Sequence, residues 1–193
     1  MNLVERAKNI ILQPRQEWDA IAGESHTVQG LYTGYVMILA AIPAIAAFIG
    51  FSIVGVGGFG LSYRVPIASG VAHLVLSYAL SLAMVYALAL IIDALAPNFG
   101  GEKNFMQAFK VAAFAPTASW LAGIFSILPA LSILGLLGLY SLYLLYLGLP
   151  KLMKTPEEKA MGYTAVVIVV AIVLSVIVSV VAGLAIPGRM RGF

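Results

Sequence analysis

The sequence predicts an all-α membrane protein: a bundle of five transmembrane helices with an N-terminal amphipathic interfacial helix. Three observations predict this fold: the composition, five long apolar segments and the placement of the basic residues. Of the 193 residues, 62% are hydrophobic and 10% are charged, whereas a soluble domain carries roughly 25% charged residues. With so few charges a soluble globule could not cover its surface with polar groups, so much of the surface is expected to face lipid.

Residues 1–30 form the predicted interfacial segment. Leu3, Ala7 and Ile10 share one face at helical spacing, and charged residues lie between them. Trp18 follows in a second short helix, and tryptophan is typical of the membrane interface. The segment therefore lies in the plane of the interface or packs as a helix under the bundle, and both alternatives place it at the membrane surface.

The five apolar segments make up a transmembrane domain over residues 31–193. A span requires roughly 20 apolar residues, and each segment is long enough. The third and fourth are separated by Pro129; one continuous helix across both would reach about 45 residues, too long for a bilayer. The predicted spans are about 31–54, 68–95, 106–127, 130–150 and 162–186.

The basic residues indicate the orientation. With the N-terminus inside, the inner segments hold eight Lys and Arg residues and the outer segments hold three. Positive charge concentrates on the cytoplasmic side of membrane proteins. We therefore expect a multi-pass protein of the cell inner membrane, with a cytoplasmic N-terminus and the C-terminus on the outer side.

Several stretches resemble bacterial Yip1-domain proteins. They are residues 14–24 (PRQEWDAIAGE), Gly34-Tyr35, residues 139–150 (LYSLYLLYLGLP), residues 154–157 (KTPE) and Gly162-Tyr163. The resemblance covers nearly the whole chain and implies five spans with the same orientation. Eukaryotic members are linked to vesicle trafficking and prenylated small GTPases. This chain lacks their long cytosolic N-terminal region and their Asp-Leu-x-Gly-Pro motif, so those partners are not carried over.

The second span contains a stripe of polar residues. Ser69, His73, Ser77 and Ser81 recur every four residues and share a helix face, and Asp93 follows near the inner end. Polar side chains at membrane depth usually face the bundle interior or an aqueous path, and a histidine there could relay protons. The structural alternative is that the serine hydroxyls bond to the preceding turn and His73 bonds to a carbonyl.

Asp93 has two interpretations as well. It could belong to the polar pathway, or it could form a structural ion pair with Lys103 or Lys110. Pro116 is the candidate helix break in the third span, with an ordinary kink as the alternative.

Two further sets of residues have packing or anchoring interpretations. Ser175, Ser179 and Gly183 have the spacing of small residues that let helices approach closely, so they predict packing in the bundle or a dimer seam. The predicted membrane-interface anchors are Trp18, Tyr146, Lys151 and Lys154.

Catalytic and metal-binding motifs are absent from the sequence. There is no cysteine, no His-Glu-x-x-His and no Gly-x-Ser-x-Gly, so we expect no enzyme activity, no metal and no cofactor. No long basic run supports nucleic-acid binding. The first hypothesis is a membrane-organising or adaptor component that contacts the bilayer, an unidentified membrane or cytoplasmic protein, and a second copy of itself. The alternative is a small oligomeric channel or transporter for protons or small ions.

Overall fold

The computed structural model describes residues 2–58 and 61–183 and confirms the helical membrane fold. Five helices in this part of the chain are long and apolar enough to cross a membrane. We call them the first to fifth spans: Val28–Val54, Ile67–Phe99, Phe105–Ile127, Pro129–Met153 and Glu157–Gly183. The last three residues predicted for the fifth span, 184–186, lie outside the described residues.

Two short helices precede the spans. Helix α1 runs over Leu3–Leu12, and the side chain of Asn2 accepts hydrogen bonds from its first backbone N–H groups, as an N-cap residue does. Helix α2 runs over Pro14–Gly23. Proline suits the first helical position because its missing N–H would have no partner there.

Helix α1 differs from the simple amphipathic pattern in the sequence. Arg6 is buried beside Ala7 and Ile10, whereas Val4 and Leu12 are exposed. Charged and apolar residues therefore occur on both the buried and the exposed face of α1. Arg6 can be buried because it has bonding partners inside the protein. The interfacial position of this helix stays a prediction.

Contacts place α1 along the side of the bundle. The Tyr140 hydroxyl donates a hydrogen bond of 3.0 Å to the Ile11 carbonyl. Tyr140 is thirteen residues before Met153, where the fourth span ends, and at 1.5 Å per residue this is about 20 Å along the helix. The end of helix α1 therefore lies beside the middle of the fourth span, while the helix itself packs mainly against α2 and the third span.

Most spans combine α-helix with tighter or wider turns. The first contains α-helix Val28–Leu31, π-helix Tyr32–Val36, α-helix Met37–Phe48 and π-helix Ile49–Val54. The second contains α-helix Ile67–Leu95 and 3₁₀-helix Ala96–Phe99. The third contains α-helices Phe105–Phe114 and Thr117–Ala122 and 3₁₀-helix Gly123–Ile127. The fourth contains 3₁₀-helix Pro129–Leu139 and α-helix Tyr140–Met153, and the fifth is one α-helix.

The third span is the central helix. It packs against the first, second and fourth spans, while the fifth packs against the second and fourth. Its most apolar window is 67% buried, against 33% or less in the other four. Every residue from Ala108 to Ala115 is buried, and small alanines there let the neighbouring helices approach closely.

Short connections join the spans. Antiparallel strands β1 (Val56–Gly58) and β2 (Leu61–Tyr63) lie between the first and second. Leu128 alone, in extended conformation, separates the third span from the fourth. The separation of the two spans predicted at Pro129 is therefore confirmed, with proline at the first position of the new helix.

Candidate functional site

The polar stripe of the second span bonds mainly to backbone. The Ser77 hydroxyl donates to the Leu74 carbonyl and the Ser81 hydroxyl to the Tyr78 carbonyl. His73 Nδ1 lies 3.0 Å from the Ala182 carbonyl oxygen of the fifth span. Ser69 is half-buried near the start of the same helix. The stripe thus forms the contacts of the structural alternative, and its proposed role as a pathway stays a prediction.

Asp93 does not form the expected ion pair. It is half-buried, and its Oδ1 is enclosed without a hydrogen-bond partner among the described residues. Lys103 is exposed, and no salt bridge joins either lysine to Asp93 within the described chain. The interpretation as an ion pair with Lys103 or Lys110 is therefore wrong for this structure, because Lys110 is bound elsewhere.

Lys110 instead binds the end of α2. Its Nζ donates to the carbonyls of Ile21, at 2.9 Å, and Glu24, at 2.6 Å. The Gln107 side chain donates to the Ala22 carbonyl at 3.4 Å. The last carbonyls of a helix have no partner within the helix, and a lysine there also complements the negative end of the helix dipole. The central span therefore caps α2.

A cluster of charged side chains joins α1 to α2 and to the loop after it. Arg6 donates to Glu17 and to Glu24, each at 2.5 Å, and Glu24 also bonds to His26 at 2.8 Å. We call these four residues the ionic cluster. Arg6 and Glu17 have side chains only 9% and 12% exposed. Buried charges are retained only when they are paired and hydrogen-bonded, so the cluster holds both helices in one arrangement.

The ionic cluster contacts an aromatic residue of the third span. The Arg6 guanidinium lies 5.9 Å from the centroid of the Phe114 ring, within the range of a cation–π contact. Trp18 meets the same ring edge-on at 6.4 Å. The cluster is thereby tied to the middle of the central helix.

Glu24 shows the electrostatic effect of the cluster. Partial burial alone raises the pKa of Glu24, but the hydrogen bonds from Arg6 and His26 outweigh burial, and the pKa lies below its ordinary value. The carboxylate therefore stays charged to a lower pH than a free glutamate would.

The third span is interrupted at the predicted break. Its first helix ends at Phe114 and the next begins at Thr117, with Pro116 between them. The Thr117 hydroxyl bonds to the Phe114 carbonyl at 2.6 Å and lies 2.7 Å from the Tyr35 hydroxyl of the first span. A hydroxyl of the same span thus satisfies a backbone carbonyl at the break, and Tyr35 of the first span bonds to that hydroxyl, so the contacts describe a stabilised kink.

Three of the four predicted interface anchors meet around one cavity. Trp18, Tyr146 and Lys151 line a cavity of about 800 Å³ between α2 and the junction of the fourth and fifth spans. Trp18 itself is fully buried, and Gly148 leaves room for its ring; its role as an interface anchor stays a prediction. A Cβ at Gly148 would lie 2.6 Å from that ring. Lys154 lies outside the cavity and pairs with Glu102 at 2.7 Å.

The seam of small residues in the fifth span lies on the outside of the bundle. Ser175 and Ser179 are exposed, and their hydroxyls bond to carbonyls one turn earlier. No described atom lies within 4 Å of a Cβ placed on Gly183. The two serines therefore do not pack in the interior, and their use as a dimer seam stays a prediction.

Sequence reasoning missed the ionic cluster. The one available signal was Arg6, a charged residue beside the apolar face of Ala7 and Ile10. Among the described residues, no three His, Asp or Glu side chains are placed so that they could hold a metal ion together.

The fold and these contacts define a class of protein, an integral membrane protein of five spans whose N-terminal helices are bound to its central helix. The chain belongs to the Yip1 domain family, whose model matches residues 8–179. The resemblance found in the sequence is thus confirmed.

Two similar proteins extend this result. The inner membrane protein YohC of Escherichia coli strain K12 is 29% identical over 157 residues, which cover 79% of this chain and 80% of that protein. The YohC protein of Escherichia coli O6:H1 strain CFT073 has the same identity and coverage. No solved structure matches the chain at a significant level.

Proposed function

We propose that this protein is a non-enzymatic membrane-organising or adaptor component of the inner membrane. The observation that carries the proposal is the attachment of α1 and α2 to the central span. Buried charges and helix caps hold these helices, and their outer faces expose polar side chains such as Lys8, Arg15 and Gln16. A rigid polar surface of this kind suits the binding of another protein.

The proposed orientation is N-terminus inside and C-terminus outside. It is supported by the excess of basic residues in the segments that face the cytoplasm in this arrangement. The description of the YohC relatives as inner membrane proteins supports only the choice of membrane. An alkaline phosphatase reporter fused after Phe193 should be active, and a fluorescent protein at the same position should be dark. The reverse pattern would overturn the orientation.

The adaptor proposal predicts a defined protein neighbour at α2. A photo-crosslinking amino acid at Gln16, in cells, should give one discrete adduct whose partner is identified by mass spectrometry. The matched control is the same amino acid at Val173, which is 53% exposed on the fifth span and should meet lipid. The same adducts at both positions, or none at Gln16, would contradict a partner at this surface.

One observation favours the channel or transporter alternative. The enclosed Oδ1 of Asp93 lacks a partner in the described chain, and an ionisable residue within a transmembrane span is expected to have a role. Flux of protons, potassium, sodium and magnesium in liposomes separates the two proposals. Flux with the wild type that is lost in Asp93→Asn and His73→Ala would establish transport, and no flux from folded protein supports the adaptor.

A further inference from the structure

The cavity beside α2 has the size and the lining of a binding site for a small ligand. It lies between α2, the end of the fourth span and the start of the fifth, and its volume is about 800 Å³. This is within the range of roughly 300–1,000 Å³ found for small-ligand sites. The side chains that line it include charged, hydroxyl and aromatic groups.

Two buried polar groups at the cavity have no partner. Trp18 is fully buried and Thr155 is 6% exposed, and both residues line the cavity. The indole N–H of Trp18 and the hydroxyl of Thr155 form no hydrogen bond within the described chain. Leaving such groups unsatisfied is costly, so a ligand that supplies an acceptor for the indole N–H would be stabilised here.

The charges at the cavity are balanced. Two cations and two carboxylates line it: Arg15, Lys151, Asp19 and Glu157. Lys151 and Asp19 already form a salt bridge with each other. Among residues 2–58 and 61–183, Arg15 and Glu157 belong to no salt bridge. One cation and one carboxylate are therefore left for a ligand that carries both signs of charge.

Tyr146 and the apolar lining residues indicate where such a ligand comes from. Tyr146 is 42% exposed on the fourth span, near the end of that span, and Leu147 and Pro150 continue the wall. Tyrosine and basic residues at the end of a span lie at the level of the lipid headgroups. A ligand at this depth would keep its acyl chains in the bilayer.

We propose that the cavity binds the headgroup of a zwitterionic phospholipid with a primary ammonium group. Arg15 and the indole N–H of Trp18 bind the phosphate oxygens, and Glu157 binds the ammonium. An acidic headgroup would leave Glu157 opposed to a like charge, and a quaternary ammonium has no N–H to donate to the carboxylate. The inference does not depend on the adaptor proposal, since a lipid site needs no protein partner.

Native mass spectrometry of the full-length protein in detergent tests the site. Phosphatidylethanolamine, phosphatidylglycerol and phosphatidylcholine with identical acyl chains are added in turn. One bound phosphatidylethanolamine per chain is expected at lower concentration than either other lipid. Equal binding of all three, a preference for phosphatidylglycerol or phosphatidylcholine, or no binding would overturn the proposal. The same experiment with soluble phosphoethanolamine tests whether the ligand comes from the membrane or from solution. Saturation by this compound without any lipid binding would overturn the proposal of a membrane ligand.

Variants assign the preference to the cavity. Arg15→Gln and Glu157→Gln change exposed side chains, so the fold is retained, and each should weaken phosphatidylethanolamine binding about tenfold. Trp18→Phe removes the N–H together with the five-membered ring of the indole and should also weaken binding. Lys154→Gln is the matched control because Lys154 pairs with Glu102 outside the cavity, and its binding should equal that of the wild type. Unchanged binding in both Arg15→Gln and Glu157→Gln would refute the site.

Discussion

Replacing Arg6 with methionine should release α1 from the bundle. Methionine keeps an unbranched side chain but leaves the carboxylate of Glu17, which is 12% exposed, without its cation. Breaking a buried ion pair by removal of one partner costs about 3–5 kcal/mol. At about 1.4 kcal/mol per factor of ten, the equilibrium between attached and detached α1 should shift by about 10²-fold or more.

The absence of cysteine from the chain provides a clean assay. Ala7→Cys places a single thiol on the buried face of α1, where Ala7 is 6% exposed. The rate at which a maleimide labels this thiol reports how often the helix detaches. Labelling should be slow in the Ala7→Cys protein and about 10²-fold faster or more when Arg6→Met is added.

A double variant and a surface control separate the charge effect from a packing effect. Glu17→Met added to Arg6→Met removes the unpaired carboxylate, and replacement of a buried pair by apolar residues is often neutral, so most of the protection should return. Lys8→Met makes the same change of charge on the exposed face of α1 and should label like the background. If Arg6→Met labels slowly, or the double variant labels as fast as Arg6→Met, the ionic cluster does not hold the helix.

Three further changes test the packing and the electrostatics. Gly148→Ala puts a Cβ 2.6 Å from the Trp18 ring and should destabilise the protein by about 1–3 kcal/mol, measured by thermal unfolding followed by tryptophan fluorescence. The control is Gly34→Ala, which has no atom within 4 Å of its new Cβ and should leave the unfolding midpoint unchanged. Equal midpoints for the two variants would contradict the close contact at Gly148. The pKa of Glu24 is lowered in the folded state, so its contribution to stability is complete above the ordinary glutamate pKa and is lost as the pH falls through the lower folded value. Glu24→Gln should therefore reduce the loss of stability at acidic pH. An unchanged loss would show that Glu24 is not its source. Tyr35→Phe removes a buried hydrogen bond of 2.7 Å and should cost about 0.5–1.5 kcal/mol in the same unfolding assay, and a loss near zero would show that the Pro116 break is stable without it.

The spans were predictable because each depends on local composition. A segment of some 20 apolar residues crosses a bilayer whatever its neighbours are, and Pro129 cannot continue a helix that precedes it. The π-helical turns at Tyr32–Val36 and Ile49–Val54 were not predicted, because such turns depend on contacts between helices. Gly50 shows this dependence, since a Cβ there would lie 1.9 Å from the Ser126 carbonyl oxygen.

The polar contacts were harder to predict because partners lie far apart in the chain. The bonds of Lys110 join residues 86 and 89 positions apart, and no local pattern distinguishes a carbonyl of α2 from Asp93 as its partner. Arg6 likewise reads as a surface residue of an amphipathic helix until Glu17 and Glu24 are brought beside it. The sequence indicated which residues were polar and at what depth, and tertiary structure decided which of them met.

The position of the least apolar span at the centre of the bundle bears on how the protein enters the membrane. The third span carries Gln107 and Lys110 and has the lowest hydropathy of the five, so lipid alone is a poor environment for it. The carbonyls that bind Lys110 and the helices that enclose the span belong mostly to residues 1–99, which leave the ribosome first. The third span can therefore enter a membrane in which much of its binding surface already exists, and a ribosome stalled before residue 105 would leave that surface facing lipid.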